Sequence, residues 1–251
     1  METIDNISWE IREKIGILTL NSPPENYLAR PAVLPLETLK RWTACEGLKG
    51  LLVYGAGKHF SGGGQPEHLF RMALSGENVG QDITAGKAVL EHLENLTIPV
   101  IAGIRGICFG GGLEIALACH IRFCAENALF AFPEVNHRIL PGLAGTLRLT
   151  ETTGFPRALT MILGGDMIDA TEALEMKLVD QIVPKSELFD HAFGLLKKMT
   201  HDRPLSVIHG VMNAMHNARN LSREEAMKEE TRIFCMLVRE EIRRTHENQE
   251  P

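Results

Sequence analysis

The sequence predicts an α/β fold that ends in a purely helical region. Short apolar runs bounded by glycine or proline, at residues 50–54 and 99–104, are typical of strands buried on both faces of a sheet. Segments with helical spacing alternate with such strands down to Val183, whereas helical segments follow one another after Pro184. We therefore predict a core over residues 1–185 and a C-terminal helical region over residues 186–251.

Each element rests on its own local signal. Proline lacks a backbone N–H, so Pro23 and Pro24 end one strand and Pro99 ends one helix. Ser222 and Glu225 form the pattern of a capping box at the start of the last helix. The predicted strands are 7–10, 15–20, 50–54, 99–104 and 121–124, and the predicted helices are 36–42, 83–96, 113–119, 189–199, 205–215 and 223–241.

The composition excludes several classes of function. The formal net charge is −6 and no block of like charge occurs, so nucleic acid is not an expected partner. The five cysteines lack CxxC spacing and the ten histidines lack an HExxH pattern, so neither a disulfide framework nor a metal site is predicted. No signal peptide is visible at the first residues, and no apolar run is long enough to span a membrane. We expect a soluble, cytoplasmic protein.

Two glycine clusters follow buried strands, at residues 62–64 and 110–112. Glycine allows a bare backbone N–H to approach a ligand closely, and the second cluster also opens a predicted helix. Such donors suit an oxygen that becomes negative during a reaction, although turn or packing glycines are an equally good interpretation of either cluster alone. Neither cluster fits a P-loop or a dinucleotide-binding fingerprint.

Two carboxylates lie in apolar surroundings. Glu114 interrupts an apolar helical segment, and Glu134 follows the apolar run at residues 129–133. A glutamate at such a position is paired, exposed at an edge, or functional. Burial would raise both pKa values towards neutrality, which would let one carboxyl act as a base and the other as an acid. The spacing does not show whether the two groups face each other.

These residues and their order resemble the crotonase, or enoyl-CoA hydratase/isomerase, superfamily. The matching motifs lie at residues 60–64 (FSGGG), 106–114, 133–134 and 141–146 (PGLAGT), with further agreement from 164 to 180. The resemblance covers about residues 10 to 185 and fades in the C-terminal helices. It implies a spiral of repeated ββα units, with C-terminal helices that assemble a homotrimer or hexamer.

The resemblance also implies a reaction and a site. An acyl thioester of coenzyme A, or of a carrier protein, would be the substrate, and no cofactor or metal would be needed. The family keeps both glutamates in its hydratases, which favours reversible addition of water to a 2-enoyl thioester. The implied catalytic groups are Glu114, Glu134 and the backbone N–H groups of Gly64 and Gly111, and the implied substrate-binding residues are Ser61, Gly62, Gly63, Gln65, Gly110, Pro133, Pro141 and Gly142.

Some positions depart from the family pattern. His120 stands where aspartate is common, Arg138 where glycine is usual, and Gly64 with Gln65 replaces an Ala-Asp pair. These changes leave the acyl group unassigned. Isomerisation, decarboxylation, a reaction on a carrier-bound acyl group, and a catalytically silent binding role remain alternatives. Arg148 is compatible with a structural ion pair and with a coenzyme A phosphate contact.

Overall fold

The computed structural model describes residues 1–247, except for the side chain of Glu247, and confirms the α/β fold. The last four residues of the predicted helical region, 248–251, lie outside the described residues. The strands are β1 (Glu2–Ile4), β2 (Ile7–Arg12), β3 (Ile15–Leu20), β4 (Gly50–Gly55), β5 (Val100–Ile104), β6 (Ile107–Phe109), β7 (Ile121–Ala125), β8 (Leu129–Ala131), β9 (Ile168–Asp169) and β10 (Gln181–Val183). The helices are α1 (Leu36–Thr43), α2 (Pro66–Leu74), α3 (Val79–Glu94), α4 (Gly111–Leu117), α5 (Gly145–Thr153), α6 (Phe155–Gly164), α7 (Ala170–Glu175), α8 (Leu188–Thr200), α9 (Leu205–Asn220) and α10 (Arg223–Glu247), with a 3-10 helix at Pro133–His137.

The main sheet has seven strands in the order β1-β2-β3-β4-β5-β7-β10. β1, β2 and β3 are antiparallel neighbours, and the strands from β3 to β10 run parallel. All six residues of β4 are buried because its side chains alternate between two apolar layers. Leu51 and Val53 enter the layer below α1, α3 and α4, whereas Leu52 and Tyr54 enter the layer below α8.

A second, smaller sheet turns the chain into a spiral. Its order is β6-β8-β9, and an isolated bridge between Ser61 and Cys108 adds the residues after β4 to its edge. β4, β5 and β7 each pass from the main sheet into this second sheet, after which the chain enters a helix. The predicted succession of ββα units is therefore confirmed, and the glycine clusters lie where the second sheet ends.

The first of the C-terminal helices packs on the core. Leu188, Phe193 and Leu196 of α8 are buried against the main sheet, although α8 begins beyond the predicted core boundary at residue 185. α9 and α10 pack on each other instead, through Gly210 of α9 and Ile233 of α10. Within residues 1–247, no helix combines the length and apolar character needed to cross a membrane.

Helix boundaries differ from the sequence prediction where a cap decides them. α3 begins at Val79, four residues before the predicted start, because the side chain of Asn78 accepts a hydrogen bond from the N–H of Gln81. α10 begins as predicted, since the Ser222 hydroxyl accepts from the N–H of Glu225 and the Glu225 carboxylate accepts from the N–H of Ser222.

Candidate active site

A cavity of about 570 Å³ opens where the second sheet meets α2, α3 and α4. Its apolar wall consists of Leu28, Leu69, Ile83, Ile139, Leu140 and Leu143. The cavity is also lined by six residues that the sequence analysis identified: Gly64, Gln65, Gly111, Glu114, Glu134 and Gly142. An apolar cavity with a few convergent polar groups is the usual form of a small-molecule site.

The two glycine clusters come together at this cavity because Gly63 adopts a conformation that suits only glycine. Its φ is +78°, and a Cβ there would lie 2.5 Å from the carbonyl oxygen of Phe109 and 2.9 Å from the nitrogen of Gly111. The carbonyl of Gly63 also accepts a hydrogen bond from the N–H of Leu28, at 2.9 Å. Three loops from distant parts of the sequence are thus stacked side by side.

Asn26, which the sequence analysis did not single out, holds these loops in register. Its buried side chain donates to the carbonyls of Ala56 and His59, both at 2.8 Å. Its own carbonyl accepts from the hydroxyl of Ser61 at 2.7 Å. An asparagine inside a Pro-rich loop gives no sequence signal that distinguishes this role from an ordinary turn residue.

Two backbone donors face the cavity without a partner. Among the residues that the structure describes, the N–H groups of Gly64 and Gly111 donate to no backbone or side-chain acceptor. Gly111 is the first residue of α4, where an N–H has no acceptor within the helix. A Cβ built on Gly111 would lie 3.7 Å from the nitrogen of Gly64, so the two donors are neighbours. Two adjacent backbone donors of this kind suit an oxygen atom that carries negative charge.

Glu114 is the most deeply buried carboxylate of the cavity, with 2% of its surface exposed. Its Oε1 accepts hydrogen bonds from the N–H of Leu143 at 2.6 Å and of Gly145 at 2.7 Å. Burial raises the pKa of Glu114 to about 7; the two N–H groups and the charge of Arg148 act against this rise, and the nearby charge of Glu134 adds to it. The group can therefore change protonation state near neutral pH.

The backbone at Ala144 explains how one oxygen receives two adjacent donors. Ala144 has a φ of +71° and a ψ of 27°, in the left-handed region. A left-handed residue between two N–H groups turns both towards the same point, and such a backbone nest binds anions. A non-glycine residue in this region costs on the order of 1–3 kcal/mol, which the surrounding contacts must offset.

Glu134 is held differently. It lies in the 3-10 helix that Pro133 begins, and its Oε2 is buried without a hydrogen-bond partner among the described residues. Burial raises the pKa of Glu134 to about 7. A Cβ on Gly110, whose φ is +48°, would lie 2.6 Å from Oε1 of Glu134, so only glycine at 110 leaves room for this carboxylate. The carboxylates predicted from the sequence therefore meet at one cavity.

The remaining residues predicted to bind substrate do not line the cavity. Ser61 is fully buried, and its hydroxyl accepts from the N–H of Gly63. Gly62 lies against the ring of Tyr27, and Pro141 is buried before the turn at Gly142. The residues predicted to bind substrate that do not line the cavity are Ser61, Gly62, Gly63, Gly110, Pro133 and Pro141.

Several cationic side chains on the wall were not predicted from the sequence. Arg30, Lys87 and Arg138 contribute to the lining, together with His68. Arg30 pairs with Asp82, at 3.5 Å. These cations lie far apart in the sequence and form no motif, so only the fold brings them together. Within residues 1–247, no group of three or more His, Cys, Asp or Glu side chains is placed to hold a metal ion.

Comparison with known proteins shows which family and which fold the chain resembles. A family model described as Enoyl-CoA hydratase/isomerase matches residues 10–248. A Bacillus subtilis protein described as "Probable enoyl-CoA hydratase" is 31% identical over 230 residues, which cover 91% of this chain and 88% of that protein. The crystal structure of an enoyl-CoA hydratase of Bacillus anthracis superposes with a TM-score of 0.82 at 28% identity, covering 98% of each chain.

A larger relative matches over part of its length. The "Fatty acid oxidation complex subunit alpha" of Shewanella loihica is 33% identical over 225 residues, covering 86% of this chain and 32% of the subunit. The chain thus spans about a third of that protein's length, so the similarity concerns one part of a longer subunit.

Proposed function

Because this chain belongs to the enoyl-CoA hydratase/isomerase family, we propose that it is a hydro-lyase that adds water reversibly to a 2-enoyl thioester of coenzyme A. The observation that carries the proposal is the meeting of two buried carboxylates, both with a pKa near 7, beside two unpaired backbone N–H groups. One pair of groups moves protons, and the other binds a developing oxyanion. This combination suits addition of water next to a carbonyl.

The N–H groups of Gly64 and Gly111 would hold the thioester carbonyl oxygen. Water attack at C3 pushes electrons through the double bond onto this oxygen, so its negative charge grows in the transition state. Each fixed donor of this kind is worth about 3 kcal/mol of barrier. The two N–H groups polarise the thioester carbonyl without a metal or a cofactor, and we propose that neither is required.

The hydrogen bonds of the carboxylates suggest which one is the base. Oε1 of Glu114 accepts hydrogen bonds from two N–H groups, which favours the charged carboxylate. Oε2 of Glu134 accepts none from the residues that the structure describes, which favours the protonated acid. Glu114 would take a proton from water as the oxygen bonds to C3, and Glu134 would give its proton to C2. The product carries a hydroxyl at C3 and a new hydrogen at C2. The reverse reaction dehydrates a 3-hydroxyacyl thioester through the same groups.

The test is an assay of the purified protein with 2-enoyl-CoA esters of increasing chain length. Hydration removes the conjugated double bond, so the absorbance of the conjugated thioester falls and 3-hydroxyacyl-CoA appears. The same acyl groups on a carrier protein would show whether coenzyme A or a carrier is preferred. Absence of hydration with every ester, and of dehydration with 3-hydroxyacyl esters, would refute the proposal.

Isomerisation of the double bond is the second candidate, and the unpaired oxygen of Glu134 favours it. A single carboxyl can carry a proton between C2 and C4 of a 3-enoyl thioester without attack by water. A 3-enoyl-CoA ester would then gain conjugated absorbance while 2-enoyl esters resist hydration. The two reactions are distinguished by which substrate changes.

We expect the rate of hydration to have a bell-shaped pH dependence with its maximum near pH 7, because burial raises the pKa of Glu114 and Glu134 to about 7. Below the maximum the base Glu114 gains a proton, and above it the acid Glu134 loses one. The measurement is kcat/KM across the pH range in which the protein stays folded. A profile that is flat between about pH 5 and pH 9 would contradict this use of the two carboxyls.

We propose that the C-terminal helices assemble the chain into a homotrimer or hexamer. Val211, Met215, Met227, Phe234 and Ile242 of α9 and α10 are each more than half exposed. Apolar side chains in such numbers suit an interface between subunits. Sedimentation at micromolar concentration is expected to give a trimer or a hexamer, and a monomer would be the contrary result.

The state of the cysteines is informative about the cellular compartment of the protein. All five, including the buried Cys108, Cys119 and Cys124, are free thiols in the structure. Free thiols persist in a reducing compartment, which supports a proposed location in the cytoplasm.

A further inference from the structure

Behind the backbone nest that holds Glu114 lies a buried arginine. Arg148 of α5 is 6% exposed, and its Nη1 donates to the carbonyl oxygen of Leu143 at 2.8 Å. The N–H of the same Leu143 donates to Oε1 of Glu114 at 2.6 Å. The guanidinium is thus one residue removed from the carboxylate, and it binds the carbonyl of the Leu143–Ala144 peptide, which lies between the two donor N–H groups.

A second contact fixes the guanidinium itself. Nε of Arg148 donates to Oε2 of Glu94 at 2.9 Å, and Glu94 is the last residue of α3. A guanidinium that binds two groups in different directions has little rotational freedom, so its position is set by the fold. Glu94 in turn is anchored, because its carbonyl oxygen lies 2.9 Å from Nε2 of the half-buried His120.

We propose that Arg148, held by Glu94, is a positioning residue that sets the orientation of Glu114 for proton transfer. Arg148 does not line the cavity and makes no hydrogen bond to Glu114 in the described part of the chain, so it acts through Leu143. The left-handed Ala144 needs such support, since a strained residue persists only where its neighbours determine it. The inference rests on the proposed function for its kinetic consequence, although not for its structural one.

The charges near Arg148, Glu94 and Glu114 determine how loss of Arg148 would change the pH dependence of the hydration rate. Glu114 faces Glu134 and Arg148, whose positive charge lowers the pKa of Glu114. Arg148 also faces the buried thiol of Cys119. The charged and titratable groups around Glu94 are Arg148, Arg219, His120 and His216. The guanidinium of Arg219, in α9, lies 3.5 Å from the carboxylate of Glu94 and 3.4 Å from that of Glu151. Removal of the Arg148 charge should therefore raise the pKa of the base and move the acid limb of the rate profile to higher pH.

The chain offers a matched control in Arg122. This arginine of β7 is 9% exposed, donates through Nε to the carbonyl of Leu178 at 2.8 Å, and donates through Nη1 to the carbonyl of Cys119 at 2.7 Å. Its burial and its bonds to backbone carbonyls resemble those of Arg148, but it makes no contact with Leu143. Loss of Arg122 therefore tests the cost of removing a buried arginine alone.

The kinetic experiment compares Arg148→Met with Arg122→Met. We expect Arg148→Met to lower kcat by about 10- to 100-fold, the size of effect that a small misplacement of a reacting group produces. KM should stay within about threefold, because the substrate contacts are intact. The acid limb should move to higher pH in Arg148→Met and stay in place in Arg122→Met.

Lysine variants separate charge from geometry and replace the methionine variants if those do not fold. Arg148→Lys keeps the positive charge, but one ammonium cannot reproduce both guanidinium contacts. It should restore the acid limb and only part of kcat, whereas Arg122→Lys should leave both unchanged. Glu94→Gln, which weakens the hold on Arg148, should give a smaller loss of kcat than Arg148→Met. Folded Arg148 variants with the parental kcat and acid limb, or Arg122 variants with equal losses, would overturn the proposal.

A measurement without substrate distinguishes this proposal from the proposed function. The pKa of Glu114 can be followed by NMR of protein with ¹³C-labelled glutamate carboxyls, and the exchange rate of the Leu143 amide by hydrogen exchange. Arg148→Met should raise this pKa and speed this exchange, and Arg122→Met should do neither. If the parent protein hydrates no enoyl thioester but these changes occur, the proposed function fails and the positioning role stands. If neither changes, the positioning role fails whatever the protein catalyses.

Discussion

Glu114→Gln and Glu134→Gln should each lower kcat for hydration by about 100-fold or more, while KM stays close to the parental value. Glutamine has nearly the shape of glutamate but cannot take or give the proton. In Glu114→Gln the amide oxygen can still accept from the N–H groups of Leu143 and Gly145, so the local backbone should be preserved. The measurement is steady-state hydration of a 2-enoyl-CoA ester near pH 7.

A matched exchange at Glu151 controls for the substitution itself. Glu151 is an exposed glutamate of α5 that does not line the cavity, so Glu151→Gln should keep the parental rate. Thermal unfolding must accompany the assay, because Oε2 of Glu134 is buried without a hydrogen-bond partner among residues 1–247. A glutamine amide placed there would be unsatisfied, which costs about 1–3 kcal/mol. Parental turnover in both folded variants would exclude a two-carboxylate mechanism. A loss confined to Glu134→Gln would favour the isomerase.

Much of the fold follows from local patterns that the sequence displays directly. A strand was predicted over residues 50–54 because this continuous apolar run is bounded by glycine, which is typical of a strand covered on both faces, and β4 confirms it. The C-terminal helices were predicted from helical spacing and from the capping box at Ser222. The short strands were not. β9 has two residues, too few to show a period of two, and it forms by pairing with β8, which is distant in the sequence, so no local signal marks it.

The meeting of the two glutamates depends on pairing that the sequence does not encode locally. β6 and β8 pair in parallel, with Cys108 beside Phe130, and the N–H of Gly110 donates to the carbonyl of Ala131. This register places Gly110 against Glu134, and α4 then carries Glu114 to the same cavity. Twenty positions separate the two residues along the chain, and no helical or strand period brings them together. Only the resemblance to a known family linked them in advance.

The oxyanion donors are testable because Gly111 is the first residue of α4, where proline is tolerated. Gly111→Pro removes one N–H and should lower kcat by at least about 10², the effect of losing one oxyanion donor. A Cβ at this position lies 2.9 Å from Cδ1 of Leu28, so any substitution also displaces that side chain. Gly111→Ala adds the same Cβ and keeps the N–H. The ratio of the kcat values of the two variants therefore measures the effect of losing the N–H donor.

The choice of controls follows from the backbone. Alanine at 110 would be strained at a φ of +48° and would meet Glu134, and alanine at 112 would lie 2.7 Å from Cβ of Ser61, so neither is a mild variant. Gly64 has open space around it, and Gly64→Ala keeps the second donor; it should therefore retain most of the parental rate. Circular dichroism and sedimentation must first show that Gly111→Pro keeps the parental fold and assembly. If that folded variant hydrates as fast as Gly111→Ala, the thioester oxygen is bound elsewhere, and the placement of substrate between Gly64, Gly111 and the two glutamates is wrong.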